Sequence, residues 1–282
     1  MNKKEVEQIL LEHGISVKKK FGQNFLLDKN VLSKIATSLS GESVKNVIEI
    51  GPGLGFLTNE LVKETSNLVL YEIDDEMVSF LSTKSFPHTI IRNIDILQVN
   101  LEKEIKEYFN DEKVSLIANL PYYITTAILT KFLTETKQVE NMVVMMQKEV
   151  AERICGKPKT KDYNALSVFI QYYSNAKILF NVSPQSFYPA PDVESSVVLI
   201  KRKEIINKAL NDDKFNKFVK DIFSQRRKTL MNNLSKAMTI NNEEKECVKD
   251  ILTKQGHSLS VRSEELSVDE IVNLFNDIYN KN

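Results

Sequence analysis

The segment Asn119-Leu120-Pro121-Tyr122 closes an apolar run that begins at Val114. Residues of these types in this order can hold a planar exocyclic amine such as that of adenine. Such an amine is a poor nucleophile, because its lone pair is delocalised into the ring. A catalyst must hold the two N–H bonds with acceptors and leave the lone pair aimed at an electrophile. The amide oxygen of Asn119 and a main-chain carbonyl, that of Leu120, supply two acceptors. Pro121 stiffens the backbone that presents them, and Tyr122 offers a face for a base to stack on. Catalysis in this arrangement is orientation for in-line displacement. An Asn-x-Pro turn ending a strand is common without any ligand, so the reading depends on what lies upstream.

Upstream lies Glu49-Ile50-Gly51-Pro52-Gly53-Leu54-Gly55, which holds three of the chain's eight glycines between a strand-like and a helix-like segment. Glycine lets the backbone turn and approach a ligand closely. A dinucleotide fingerprint wants G-x-G-x-x-G. Here the third glycine comes one place early and Phe56 fills its position, which disfavours a pyrophosphate cradle. A nucleoside carrying an amino-acid tail, S-adenosyl-L-methionine, fits better, and the pairing points to methyl transfer onto an adenine nitrogen. Glu72, 21 residues after Gly51, ends the next strand-like run, where a carboxylate can accept from both ribose hydroxyls. Asp95 ends the run after that and can take the cofactor's adenine amine, or simply cap a helix.

Three further segments carry candidate contacts. Lys18-Lys19-Lys20-Phe21 precedes the first strand and can meet RNA phosphates and bases. In the stretch Phe187-Tyr-Pro-Ala-Pro, two prolines stiffen the chain, with Phe187 either a second stacking surface or a core aromatic. Arg226, Arg227 and Lys228 lie in a stretch, 220–236, with five basic residues and one acidic one. On a continuous helix, Arg226 would fall on the apolar stripe with Ile222 and Leu230 and would need a partner or a phosphate.

The elements that must position these groups alternate. Strand-like runs lie at 44–50, 68–73, 89–94, 114–120, 141–147, 177–182 and 196–201. Most are apolar throughout, as a sheet covered on both faces requires. Helical patterns separate them. One is capped by Asp28 and runs through Val31, Leu32, Ile35 and Leu39 to Gly41. A second follows the glycine loop with Leu57, Leu61 and Val62. The series predicts an α/β fold with a doubly wound, mostly parallel sheet. The last two runs flank the prolines between 184 and 191 and predict a terminal antiparallel hairpin. After Lys203 strand runs cease, and one helix is expected to carry Phe215, Phe218, Val219, Ile222, Phe223, Leu230 and Leu234. The expected domains are therefore 1–205, α/β with a basic leader, and 206–282, small and all-helical.

Composition narrows the rest. The 282 residues are 42% hydrophobic and 27% charged, with no net charge, so a nucleic-acid partner must be met by local patches. Cys155 and Cys247 are far apart and lack metal spacing, so no metal is expected and reduced thiols are. No apolar run approaches a membrane span, and the charged N-terminus lacks a signal core. A cytoplasmic protein without membrane partners is expected, a monomer by default.

Taken together and in order, the motifs resemble those of the ribosomal RNA adenine N6,N6-dimethyltransferases, along nearly the whole chain. Gly22-Gln-Asn24-Phe-Leu26 is similar to the family's opening motif, which implies that Asn24 and the Leu26 main chain touch S-adenosyl-L-methionine. Glu49, Gly51 and Gly53 fall in the family's cofactor loop, Glu72 at its ribose ligand and Asp95 at its adenine ligand. Asn119 through Tyr122 matches the target-amine grip. Phe187-x-Pro-x-Pro-x-Val-x-Ser195 resembles the substrate-stacking loop, and Phe223-x-x-Arg-Arg-Lys the helical-domain signature. The family pattern has Gly before Asp95, where this chain has Ile94. The resemblance implies a Rossmann-like class I methyltransferase sheet and dimethylation of two adjacent adenosines near the 3′ end of 16S rRNA in the small ribosomal subunit, with a part in its late assembly. Two other readings remain open: the macrolide-resistance branch acting on large-subunit RNA, and an assembly factor with secondary catalysis.

Overall fold

The computed structural model describes residues 3–18, 22–39, 45–238 and 242–280. All seven apolar runs form strands, joined by two very short ones: β1 Phe25–Leu26, β2 Asn46–Ile50, β3 Asn67–Glu72, β4 Thr89–Asn93, β5 Val114–Asn119, β6 Val139–Gln147, β7 Ser174–Val182, β8 Phe187–Tyr188 and β9 Ser195–Arg202. Seven of them make one sheet in the order β4-β3-β2-β5-β6-β9-β7. Strands β4, β3, β2, β5 and β6 are mutually parallel, and β9 runs antiparallel to β6. The expected mostly parallel sheet with an antiparallel late strand is therefore present. β2 is buried along its whole length and β5 up to Ala118, the pattern of central strands covered on both faces.

Strand order reverses between β2 and β5. The chain leaves β2 for β3 on one side and reaches β5 on the other. A crevice opens at the carboxyl ends of strands at such a switch point, and there lie the glycine loop after β2 and Asn119 at the end of β5. Besides those described below, the α-helices among the described residues up to Ile154 are α1 Lys3–Glu12, α5 Leu101–Phe109, α6 Thr125–Thr134 and α7 Lys148–Ile154. Helix α2 Lys29–Ala36 starts where expected, with the Asp28 carboxylate accepting from the N–H groups of Asn30 (2.9 Å) and Val31 (3.3 Å). It stops before Leu39, which is buried in the core, and Gly41 lies outside the described residues. The helix after the glycine loop is a single turn, α3 Thr58–Leu61. α4 Asp75–Ser82 follows β3, with Asp74 as its N-cap.

The chain divides into two compact units, 1–151 with 176–202, and 152–175 with 203–282. A single boundary at 205/206 misses the middle segment. Its helix α8 Ala165–Tyr173 carries Tyr172, whose hydroxyl donates to Asp212 Oδ1 (2.9 Å) and accepts from the Ala209 N–H (3.0 Å). The Tyr172 ring lies 4.8 Å from Phe215, which lies 5.4 Å from Phe275. These rings form the core of the second unit, so 152–175 folds with the later helices.

The one long helix expected over 215–234 is two, α9 Asp212–Ile222 and α10 Leu230–Met238. The break has a local cause. The Ile222 carbonyl accepts from Asn233 Nδ2 (2.6 Å) and from the Ser263 hydroxyl (2.6 Å), and the Gln225 carbonyl from the same amide (3.2 Å). Side chains thus satisfy the α9 terminus, while the Thr229 hydroxyl accepts from the Asn232 N–H (3.3 Å) to start the next helix. Arg226, Arg227 and Lys228 fall in the intervening turn, and the helical stripe that placed Arg226 does not exist.

Candidate active site

One cleft in the first unit gathers most of the candidate residues. Its walls include Asn24, Leu26, Glu49, Gly51, Gly53, Glu72, Asp95 and the whole of Asn119–Tyr122. These come from five places in the sequence: four lie at the carboxyl ends of parallel strands β2, β3, β4 and β5, and Asn24 and Leu26 belong to the leader, whose β1 pairs with β8.

Gly51, Gly53 and Gly55 all have positive φ, 64°, 55° and 74°, a conformation that strains other residues. A Cβ at Gly53 would lie 3.1 Å from the Phe25 ring, so the leader closes directly over the loop. Glu72 ties the loop to β3. One carboxylate oxygen accepts from the N–H groups of Ile73 (2.9 Å) and Asp74 (3.0 Å), and the other from the Gly53 N–H (3.2 Å). Burial raises the Glu72 pKa, against the lowering effect of these three N–H groups. Glu49 is 1% exposed, and its Oε2 accepts from the Thr58 hydroxyl at 2.7 Å. Burial, with the Glu72 charge adding, pushes it up to about 8.

Charge decides what the cleft can hold. Glu49, Glu72 and Asp95 line it, and no lysine, arginine or histidine does among the described residues. Polyphosphate needs cations or free N–H groups, yet the Gly53 N–H is already given to Glu72. A ligand bearing positive charge and a ribose diol suits Glu72 and Asp95 beside a glycine cradle, with Glu49 a third acid that a bound cation would help to ionise. S-adenosyl-L-methionine, with its sulfonium and ammonium groups, meets that test.

At the other wall, Asn119 Nδ2 donates to the Asn24 main-chain carbonyl (3.2 Å). The Leu120 N–H is taken by the Met145 carbonyl (3.1 Å), and the Pro121 carbonyl by the Ile124 N–H (3.2 Å) and the Thr125 hydroxyl (3.0 Å). Tyr122 Oη shares a hydrogen bond with the Ser195 hydroxyl at 2.9 Å, and burial pushes its pKa up, so it stays a neutral phenol with its ring fixed. Asp95 both lines the cleft and caps the short turn Ile96–Gln98, its Oδ1 accepting from the Leu97 N–H (2.9 Å). Ile94 stands beside it in the cleft wall, its N–H donating to the Glu72 carbonyl (3.1 Å).

Phe187 and Lys18 depart from expectation, and Arg226 has the partner it was expected to need. Phe187 is 5% exposed and sits in the core with Leu26, Leu32, Val182 and Val197. Its strand β8 pairs with β1, Phe187 opposite Leu26, so it is the core aromatic and offers no stacking face. Lys18 is half-buried and is not the free cation expected of an RNA contact. Its ammonium pairs with Asp74 and, at 3.0 Å, with Glu76. Arg226 pairs with Glu264, Nε to Oε2 at 2.6 Å, and also donates to the Thr160 carbonyl (3.3 Å). Arg227 and Lys228 are exposed, and Lys19 and Lys20 lie outside the described residues. The sequence reading missed Tyr123, which lines the cleft and is 59% exposed. It also missed the apolar lining from Ile73 and Ile96. Tyr123 adjoins a motif already singled out; Ile73 and Ile96 each neighbour a candidate carboxylate.

The switch-point cleft, the glycine cradle and the strand-end acid define a class I, Rossmann-like methyltransferase domain. The profile of the family described as ribosomal RNA adenine dimethylase matches residues 14–278, and the chain belongs to that family. A small-subunit rRNA methyltransferase A of Anoxybacillus flavithermus is 39% identical over 277 residues, covering 97% of this chain and 94% of that one. Its counterpart in Bacillus cytotoxicus is 42% identical over 275 residues, 96% and 94% covered. Among solved structures, a dimethyladenosine transferase of Plasmodium falciparum superposes with a TM-score of 0.73 at 23% identity, covering 91% of this chain and 98% of that one. The 23S rRNA methyltransferase ErmE gives 0.66 at 21%, covering 90% and 99%. The last two support the fold alone.

Proposed function

We propose that this enzyme transfers methyl groups from S-adenosyl-L-methionine to N6 of two adjacent adenosines in the 3′-terminal hairpin loop of 16S rRNA, within the small ribosomal subunit or its precursor, and that it takes part in that subunit's biogenesis. The observation that carries the reading is the joining, in one cleft that no cation lines among the described residues, of the acids Glu49, Glu72 and Asp95 with Asn119–Tyr122. The substrate choice is supported by relatives at about 40% identity that are named for the small-subunit RNA.

Glu72 would hold the cofactor's ribose, Asp95 its adenine amine, and Glu49, Asn24 and the Leu26 main chain its amino-acid end, over Gly51 and Gly53. When bound, the cofactor supplies an electrophilic methyl group. The chain's own work is orientation. Because a carbonyl can only accept, Asn119 must turn its amide nitrogen to Asn24, which leaves its oxygen to accept an N–H from the target amine. The Pro121 carbonyl is occupied twice over, so the second acceptor is the Leu120 carbonyl. The fixed ring of Tyr122 stacks on the base, and Tyr123 replaces Phe187 as the second aromatic within reach. The methylated nitrogen is acidic and sheds its proton to water, so no side-chain base is needed. Arg227 and Lys228 meet RNA phosphates. The protein works in the cytoplasm as a monomer.

The test is transfer of labelled methyl groups to separated small and large subunits that lack the modification. Label in small-subunit RNA supports the proposal; label confined to large-subunit RNA overturns the substrate assignment.

A further inference from the structure

Asp74 is 1% exposed and has no place in the mechanism above, yet a buried carboxylate is costly unless paired. Its partners lie across the leader. Asp74 Oδ1 takes the Lys18 ammonium, and Oδ2 accepts from Gln23 Nε2 at 2.8 Å. Gln23 Oε1 in turn accepts from the Lys18 main-chain N–H, also at 2.8 Å. Glu76 reinforces the site, accepting from the Ser16 N–H (3.0 Å) and pairing with Lys18. The residue after Gln23 is Asn24, whose carbonyl receives Asn119 Nδ2. Beyond it, Phe25 and Leu26 are fixed by pairing with β8.

We propose that Lys18, Gln23 and Asp74 form a clamp that positions the Asn24 carbonyl and, through it, the side-chain amide of Asn119. An asparagine amide is two-faced: one orientation presents an acceptor to the target amine, the opposite one a donor that repels it. The Asn24 carbonyl selects the accepting orientation, and the clamp with β1 holds that carbonyl from both sides. Asp74 also ties the clamp to the cofactor wall, since its N–H is one of the three that hold the Glu72 carboxylate. The turn Glu72-Ile73-Asp74 thus serves the cofactor with its first acid and the leader with its last. Gln23 and Lys18 are positioning residues. This inference rests on the amine-holding role given to Asn119.

The experiment is single-turnover methyl transfer to unmethylated small subunits at saturating S-adenosyl-L-methionine, comparing Gln23→Ala, Lys18→Met and Lys18→Arg, each alone and combined with Asn119→Ala. Gln23→Ala and Lys18→Met are expected to slow transfer about tenfold, the scale of a misplaced reacting group, with the apparent affinity for subunits unchanged. Lys18→Arg keeps the ion pair and most of the rate. Residues acting through one group are non-additive, so Gln23→Ala should cost nothing further in the Asn119→Ala background. The same fractional loss in both backgrounds, or no loss in either, overturns the clamp while leaving the amine grip intact. A near-normal rate for Asn119→Ala alone overturns the grip itself, and the clamp with it. Thermal midpoints measured on every variant guard against unfolding, and if Gln23→Ala is unfolded at the assay temperature, Lys18→Met decides.

Discussion

Replacing Glu72 with Gln separates its anchoring of the glycine loop from the ribose-holding role proposed for it. The carboxylate accepts three main-chain N–H groups, from Gly53, Ile73 and Asp74, at 2.9–3.2 Å. A glutamine in the same place keeps one oxygen, which the Ile73 and Asp74 N–H groups can share. Its amide nitrogen then faces the Gly53 N–H, donor against donor. A buried donor without an acceptor costs about 1–3 kcal/mol. Against that, the glutamine is neutral, and burial already raises the Glu72 pKa, so removing the charge returns part of the cost. The thermal midpoint should therefore move little. Ligand affinity has no such compensation. The cofactor loses an ionised acceptor for its ribose, and charge-assisted hydrogen bonds are worth about 1.5–3 kcal/mol, while the glycine loop loses its anchor. The expected result is a Kd for S-adenosyl-L-methionine raised by about tenfold to a hundredfold, read by titration calorimetry on a variant shown to be folded. A Kd within twofold of the parent's would refute the assignment of Glu72 to the ribose.

Glu49 makes ligand-free stability depend on pH. Its folded pKa lies above the ordinary glutamate value of 4.5, at about 8, so the folded chain holds a proton that the unfolded chain releases across that window. The contribution is fully present below about 4.5 and is lost as pH rises through 8, amounting at most to about 3–5 kcal/mol. Denaturation midpoints should fall over this range, and Glu49→Gln should flatten the slope. Arg202 donates to the carbonyls of Phe132, Leu133, Thr136 and Val139 at 2.7–3.1 Å; Arg202→Met should cost about 3–5 kcal/mol by urea denaturation. Arg227→Ala with Lys228→Ala should lower the salt dependence of RNA binding, the slope of log K against log salt shrinking by roughly 0.7–0.9 for each phosphate no longer neutralised. An unchanged slope would remove this turn from the RNA surface.

The sheet was legible because buried parallel strands must be apolar on both faces, and a run such as Val114–Ala118 has few alternatives. Most of the cleft was legible because its residues cluster at strand ends that the sequence marks: Gly51 and Gly53 where φ is positive, Glu72 and Asp95 after apolar runs. What was not legible depended on partners far along the chain. Lys18 reads as a free cation until Asp74, 56 positions away, is placed beside it. Phe187 reads equally as exposed or as core until β8 pairs with β1. Arg226 reads as part of a helical stripe until Asn233 and Ser263 take the carbonyls that would have continued the helix. The membership of 152–175 in the second unit rests on the hydrogen bond and ring packing of Tyr172 with a core assembled 40 residues later.

An acid-lined cleft with Asn119 as amine acceptor is expected to methylate adenine at N6. The direct measurement is nucleoside analysis of small-subunit RNA after incubation with S-adenosyl-L-methionine and either the parent protein or Asn119→Ala. The parent should yield N6,N6-dimethyladenosine, and the variant a rate lower by about two orders of magnitude. Methylation at another atom, or an undiminished rate from Asn119→Ala, would contradict it.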